Sequence, residues 1–245
     1  MWFFSDVATH LSLWLLALPA HLLDFLGLWE PLAMRLFPHF YAKVSIDYHA
    51  VMHSYKKKLF SRLSDFAGPS GPLKVLELGC GTGSNFPFYP RGAKVTCTDA
   101  NPHFQEYLRK SQAENDHLHF EPNLVAPAEN LSEVGDASVD VVVSTAVLCS
   151  VNSVQKALKE VLRILKPGGA FFFLEHVCAD PLTWTYIFQK IYDPSWKCVF
   201  AGCNLCRETW KDLEKAPFSE MKLQHIMTPF LWRLMGPHII GYGIK

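Results

Sequence analysis

The chain has 245 residues, enough for one domain of catalytic size and an appendage, and its 49% hydrophobic content supplies a sizeable core. Its 23 basic residues balance its 23 acidic ones, so it lacks the basic excess that would mark a nucleic-acid-binding surface. The seven cysteines are odd in number, and Cys80, Cys97 and Cys149 fall in or beside predicted strands, which excludes a disulfide framework and suits a reducing compartment. Cys203-x-x-Cys206 lacks a second pair at zinc spacing and reads as two ordinary thiols.

From Leu11 to Leu28 the chain is almost wholly apolar, and counted from Val7 the stretch reaches the roughly 20 residues that span a bilayer as a helix. Pro19 would kink such a helix, and His21 and Asp24 are polar. Trp2, Phe3, Phe4, Trp14 and Trp29 suit interfacial positions. Ala17–Ala20 resembles a cleavage site, but no basic region precedes it and the apolar character continues to Phe37 and Phe40. The expectation is therefore an uncleaved membrane anchor over residues 1–40, spanning or hairpin-like. Lys43 and Lys56 to Lys58 follow it, which places the remainder on the cytosolic side.

Residues 41–69 form a linker in which Tyr48–Leu63 reads as an amphipathic helix, with Val51, Tyr55, Leu59 and Leu63 on one face. Lys56-Lys57-Lys58 reads as a solvated face of that helix. The turn cluster Gly68-Pro69-Ser70-Gly71-Pro72 opens the catalytic domain, residues 70–245. A first strand is expected at Lys74–Leu78, a helix from about Ser84, a second strand at Lys94–Thr98, and a helix after Asn101-Pro102. A third strand at His119–Val125 is weakened by Pro122. Val139–Ser144 is a β-branched run of the buried parallel type. A helix over Val154–Leu165 stops at Lys166-Pro167-Gly168-Gly169, and a strand at Ala170–Leu174 leads to Glu175 and His176. Met221–Met227 and His238–Ile244 read as a closing antiparallel pair. The ring-rich region 177–218 is expected to form an apolar lid. Strands alternating with helices imply right-handed crossovers and a doubly wound parallel α/β sheet.

In such a sheet ligands lie beyond the C-terminal strand ends, near the switch in strand order. Gly83, Asp99, Glu129, Thr145 and His176 all fall at or just past such ends. Glu77-Leu-Gly79-Cys80-Gly81-Thr-Gly83 follows the first strand, and glycines there let backbone approach a ligand closely. Asp99 ends the next strand, where an acid accepts hydrogen bonds from ribose hydroxyls. The G-x-G-x-G spacing departs from the G-x-G-x-x-G that seats a pyrophosphate on a helix N-terminus.

Glu77–Gly83, Asp99, Asp140–Thr145 and Leu165–Gly169 together resemble the class I S-adenosylmethionine (SAM) methyltransferases. Asn85-Phe86, Phe88-Tyr89-Pro90, Asn101–Phe104, Val147–Val151, Glu175-His176-Val177, Arg207-Glu208, Trp210 and Gly236–Ile239 narrow this to the methyltransferase-like 7 family, and the likeness runs over nearly the whole chain. The chain departs from the family pattern at Ala100, where proline is usual, and at Ala128, where glycine is usual. It departs again at Ala201, where aspartate is usual, and at Cys206, where threonine is usual.

The resemblance implies a seven-stranded Rossmann-like sheet and a membrane-anchored SAM-dependent enzyme. Its acceptors would be small lipophilic alkyl thiols, and its places the endoplasmic reticulum membrane and the lipid droplet. By position in the motifs, Gly79, Cys80, Gly81 and Gly83 would line the methionine part of the cofactor, with Glu77 ordering its ammonium. Asp99 would take the ribose hydroxyls, Asn101 would border the adenine, and Ala128-Glu129 would approach its edge. Thr145 would contact the amino-acid portion or the acceptor. His176 is the candidate general base for a thiol, with a structural histidine as the alternative. Cys149 reads as a packed small residue. Two other readings stay open at this point: a lipid, quinone or amine acceptor, and a non-enzymatic membrane protein that keeps the fold. No metal site is expected.

Overall fold

The structure, a computed structural model, describes residues 18–20, 22–68, 71–230 and 233–245. Residues 1–17 and 21, which belong to the expected anchor, lie outside it. Among the described residues no helix is long and apolar enough to cross a membrane.

Helix α1 (Trp29–Phe60) is 32 residues long and passes unbroken through position 40, so the expected anchor and linker share one element. It starts well before the expected Tyr48. Its inner face buries Met52, Leu59 and Phe60 against the sheet. Lys56 is buried too, at 1% exposure, which corrects the reading of Lys56-Lys57-Lys58 as a solvated face: only Lys57 and Lys58 face outward.

The sheet contains β1 (Lys74–Leu78), β2 (Lys94–Asp99), β3 (His119–Phe120), β4 (Leu124–Val125), β5 (Val139–Thr145), β6 (Leu165–His176), β7 (Glu220–Met227) and β8 (Pro237–Ile244). Its order is β3-β2-β1-β5-β6-β8-β7, with β4 also paired to β2. The expected third strand is thus broken in two around Pro122, which has no N–H to give the ladder. Counted as one interrupted strand, β3 and β4 restore the expected seven. The pairs from β2 to β6 are parallel, and β8 runs antiparallel to both β6 and β7.

Alternate side chains on each strand enter opposite faces. Val75, Val95, Val141, Val143 and Phe172 meet the end of α1. Leu76, Leu78, Val142, Phe171 and Phe173 pack under α3 (Val154–Ile164) through Val154, Leu158 and Val161. Burial on both faces explains why β5 and β6 are near-continuous apolar runs. The helix expected from Ser84 is only a 3-10 turn at Phe86–Phe88, because Pro87 and Pro90 cannot serve a helix interior. The expected helix after Asn101-Pro102 is α2 (Gln105–Glu114). β6 starts at Leu165, earlier than Ala170, and takes in Lys166–Gly169 after a register shift opposite Val139 and Val141. The region expected as a lid holds α4 (Trp184–Val199) and α5 (Thr209–Lys215).

Candidate functional site

β1 lies between β2 and β5, so the chain leaves it in one direction to build β2–β4 and returns on its other side as β5. The loops after β1 and β5 therefore face each other across a crevice at the switch point. Gly79 closes that crevice on one side. Its φ is +53°, and a Cβ there would fall 2.6 Å from Cγ2 of Val147 in the loop after β5. Only glycine permits both the conformation and the approach.

The turn is fixed to the second strand. Cys80 N–H donates to Thr98 O at 3.0 Å, and Gly81 N–H donates to Asp99 Oδ2 at 2.9 Å. Asn101 N–H donates to Asp99 Oδ1 at 2.8 Å. The Asp99 carboxylate is thus pinned at the mouth of the crevice with one backbone donor on each oxygen, leaving further lone pairs for a ligand. Burial raises its pKa, and the two backbone donors pull it back. Asn101 is adjacent, but its amide is committed at both ends. Oδ1 accepts from His103 N–H at 3.0 Å, and Nδ2 donates to Met34 O of α1 at 2.8 Å.

Glu77 is buried on β1, and each of its oxygens is already used. Asn85 Nδ2 donates to Oε1 at 2.8 Å, and the Tyr89 hydroxyl donates to Oε2 at 2.6 Å. Burial pushes its pKa up to about 7 against those hydrogen bonds. Asn85 Nδ2 also donates to Thr145 Oγ1 at 2.9 Å, so one amide ties the ends of β1 and β5 across the switch point. Asn85 Oδ1 is buried and has no partner. The free acceptor in this part of the crevice is therefore Asn85 rather than Glu77.

α1 roofs the crevice. Tyr41 lies 3.8 Å from where a Cβ on Gly81 would stand and meets Phe104 edge-on at 5.8 Å. Burial, and then Asp99, push the Tyr41 pKa up. Farther along, Tyr48 stacks on Phe230 at 5.3 Å, and its hydroxyl reaches His238 Nε2 at 3.5 Å. Lys56 Nζ donates to Ser84 Oγ at 3.1 Å and to His49 Nδ1 at 3.4 Å.

At the end of β6, Glu175 is buried and accepts three hydrogen bonds: from Ser144 Oγ at 2.6 Å, Val147 N–H at 2.9 Å and Leu148 N–H at 3.0 Å. It holds the loop whose Val147 walls Gly79, and Ala146 within that loop sits at φ +56°. His176 is fully buried. Its Nε2 lies 3.0 Å from Leu234 O, which assigns the ring proton to Nε2 and leaves Nδ1 a lone pair with no partner. Burial lowers its pKa, with Cys149 opposing the shift. His238 sits opposite it on β8, the two rings edge-on at 5.6 Å. The Cys149 thiol is raised by its hydrogen bond with Cys203 and by burial, and all seven cysteines are free.

The structure thus gathers Glu77, Gly79, Gly81, Asp99 and Thr145 at the crevice, while Gly83 turns the chain against Phe86 and Ser111 and the Cys80 side chain packs in the core. His176 lies at the neighbouring strand end. Glu129 is turned elsewhere: its Oε1 accepts N–H bonds from Asn152 at 2.6 Å and Ser153 at 3.3 Å at the start of α3, and Ala128 packs into the core beside that helix. Glu129 thus anchors the loop before α3, because a carboxylate satisfies the free N–H groups before a helix well. Sequence reasoning missed Asn85, Tyr89, Tyr41, Tyr48, Lys56, Glu175 and His238. Asn85, Tyr89, Glu175 and His238 carried a signal in that each stands in a motif of the family resemblance. Tyr48 and Lys56 had none beyond their place on a predicted helix, and Tyr41 lay before that helix.

Residues 76–173 match a methyltransferase domain family. The chain is 55% identical over 223 residues to the thiol S-methyltransferase TMT1A of Homo sapiens, covering 91% of each chain. It is 49% identical over 231 residues to the thiol S-methyltransferase TMT1B of Homo sapiens, covering 94% of this chain and 95% of that protein. Among solved structures, a SAM-dependent methyltransferase from Thermotoga maritima, described as a possible histamine N-methyltransferase, superposes with a TM-score of 0.57 at 20% identity. It covers 87% of this chain and 99% of that one.

Proposed function

The chain belongs to the methyltransferase-like 7 family of thiol S-methyltransferases, class I enzymes that use SAM, and on that premise we propose that it methylates the sulfur of small lipophilic alkyl thiols. When bound, SAM supplies a methyl group activated on a sulfonium sulfur. The crevice fits it: Asp99 keeps lone pairs for two ribose hydroxyls, the unpartnered Asn85 Oδ1 suits an ammonium donor, and Gly79 and Gly81 offer a bare backbone wall. Glu77 acts by fixing Asn85 and Tyr89.

Methyl transfer needs alignment and little covalent help, so positioning supplies much of the rate. A thiol with a pKa of about 8.5 is mostly protonated at neutral pH, so its proton must go elsewhere. His176 Nδ1 is a neutral lone pair at the end of β6, the strand next to the one that ends in Thr145, and is our candidate to receive it. Tyr48, stacked on Phe230 and near Cys149, makes apolar surroundings on this side that suit an alkyl chain.

The observation that carries the reading is the joining of Gly81 to Asp99 at 2.9 Å beneath Tyr41, beside a thiol-methyltransferase likeness covering nine-tenths of the chain. Purified protein, SAM and a panel of alkyl thiols, quinones, lipids and amines test it, with products identified by mass. Methylated thiols are expected. Methylation of another acceptor with none at any thiol would overturn the thiol assignment. Unchanged rates in His176→Ala from pH 6 to 9 would remove the base role.

We also propose that residues 1–40 anchor the protein in the endoplasmic reticulum membrane and on lipid droplets, with the catalytic part in the cytosol. Support comes from the apolar sequence of residues 7–28 and from outward apolar side chains at Leu22, Phe25 and Leu28 and, on α4, at Trp184, Ile187 and Ile191. Release of the full chain from membranes by alkaline carbonate would refute integral anchoring.

A further inference from the structure

Lys56 is among the largest fully buried side chains in the protein, yet it takes no part in any ion pair among the described residues. A buried ammonium without an anion is expensive, and proteins accept one where a partner arrives from outside. Its two hydrogen-bond partners, Ser84 Oγ and His49 Nδ1, are both neutral. An ammonium has three donors, so one remains. Because His49 Nδ1 accepts from Lys56, the ring proton of His49 is on Nε2, and that atom is buried with no partner. Burial, then Lys56, lower the His49 pKa to about 3, which keeps the ring neutral. Two buried donors therefore lack an acceptor in the same place, where α1 lies over Ser84, the residue just after the glycine turn.

We propose that Lys56, with His49 Nε2 and Ser84, forms the subsite for the carboxylate of the cofactor's methionine. This rests on the reading of the glycine turn and Asp99 as the SAM site, and it adds what α1 contributes to that site. The methionine ammonium and carboxylate would then be received by different elements: the ammonium by Asn85 at the strand ends and the carboxylate by the helix above. Glu77 is close enough to Lys56 to raise its pKa against burial, which pulls it down to about 8, but both Glu77 oxygens are already occupied. Among the described residues no carboxylate thus lies within ion-pair distance of Lys56, and the cofactor carries one.

The test is calorimetric binding of SAM and of decarboxylated SAM to the full-length protein. The two ligands differ only in the carboxylate. Charge-assisted hydrogen bonds of this kind are worth about 10- to 100-fold in affinity. Wild type is expected to prefer SAM by that factor. Lys56→Met should bind SAM about 10- to 100-fold more weakly while its affinity for decarboxylated SAM is unchanged or improved, erasing the preference. Lys56→Arg should restore part of it. Thermal unfolding confirms that each variant is folded, and Lys56→Gln replaces Lys56→Met should the latter not be. Equal affinity of wild type for the two ligands, or equal weakening of both by Lys56→Met, would overturn the proposal. Asp99→Ala separates this from the underlying reading. It should weaken both ligands alike, and binding of both at wild-type strength would refute the SAM site itself.

Discussion

Glu175 gives the sharpest test of how the crevice is held. Among the described residues its carboxylate is the acceptor for Ser144 Oγ and for the N–H groups of Val147 and Leu148. Glu175→Ala leaves these donors buried and unpaired, and each such donor costs roughly 1–3 kcal/mol. Part of that loss is offset, because burial already disfavours the charged carboxylate and raises its pKa. A net loss of about 3–6 kcal/mol follows, which in a domain of this size lowers Tm by roughly 10 °C or more. Glu175→Gln is different. Its amide oxygen can accept both backbone N–H groups while its NH2 donates to Ser144 Oγ, so a loss within about 1 kcal/mol is expected. The loop carrying Val147 is also the wall against Gly79, so the alanine variant should bind S-adenosylhomocysteine several-fold more weakly, where the glutamine variant should not. Urea unfolding and calorimetry of the three proteins provide the check. Equal stability of the alanine and glutamine variants would refute the hydrogen-bond argument, and normal ligand binding by a folded Glu175→Ala would refute the link to the glycine turn.

Three further outcomes follow from the geometry. Gly79→Ala forces a side chain to φ +53° and to 2.6 Å from Val147, so it should cost about 2–4 kcal/mol and abolish cofactor binding, measured by unfolding and calorimetry. Glu77, pushed up to about 7 by burial, binds its proton more tightly folded than unfolded. The stability it contributes is therefore full below about pH 4.5 and is lost as pH rises through 7, and the difference between wild type and Glu77→Gln should fall by about 3 kcal/mol over that window. Ala201 stands exposed at φ +47°, so Ala201→Gly should raise stability by about 0.5–1 kcal/mol, read as a Tm gain of a few degrees. An unchanged Tm would show that the loop relaxes without strain.

The sheet was legible because its strands are written in one-dimensional terms. Val139-Asp-Val-Val-Val needs only β-branched residues buried on both faces, and Gly79 with Asp99 needs only a turn and an acid at adjacent strand ends. Pro122 even marks where the third strand breaks. The failures share a different cause. Lys56 belongs to a run of three lysines, and a sequence cannot show that the first turns inward while the next two do not, since that depends on what α1 lies upon. Nor does a sequence show that the Glu129 carboxylate, in the loop after β4, takes up the free N–H groups before α3. The helix expected from Ser84 was read from the usual strand–helix alternation, and Pro87 and Pro90 overrode it. Ala201 is the reverse case: aspartate, usual there in the family, tolerates the left-handed conformation that alanine resists.

α1 shows why the legible half of the site is incomplete. Its C-terminal half is held by apolar packing through Met52, Leu59 and Phe60. Its N-terminal half is held to the remainder by the Trp29 Nε1 bond to Cys198 O at 2.8 Å, the Asn101 bond to Met34 O at 2.8 Å, the His39–Tyr107 bond at 2.7 Å and ring contacts through Phe37, Phe40 and Tyr41. Few hydrogen bonds and little buried aliphatic area make this half the cheaper one to displace. It is also the half that lies over Asp99 and the glycine turn, and the half that carries Leu32 and Leu36 outward. On the membrane reading, the half-helix that lies over the crevice through Phe37 and Tyr41 would meet lipid through Leu32 and Leu36 on its other face. Anchoring before Trp29 would then restrain the roof, so that occupancy of the crevice and the seating of α1 are one equilibrium rather than two.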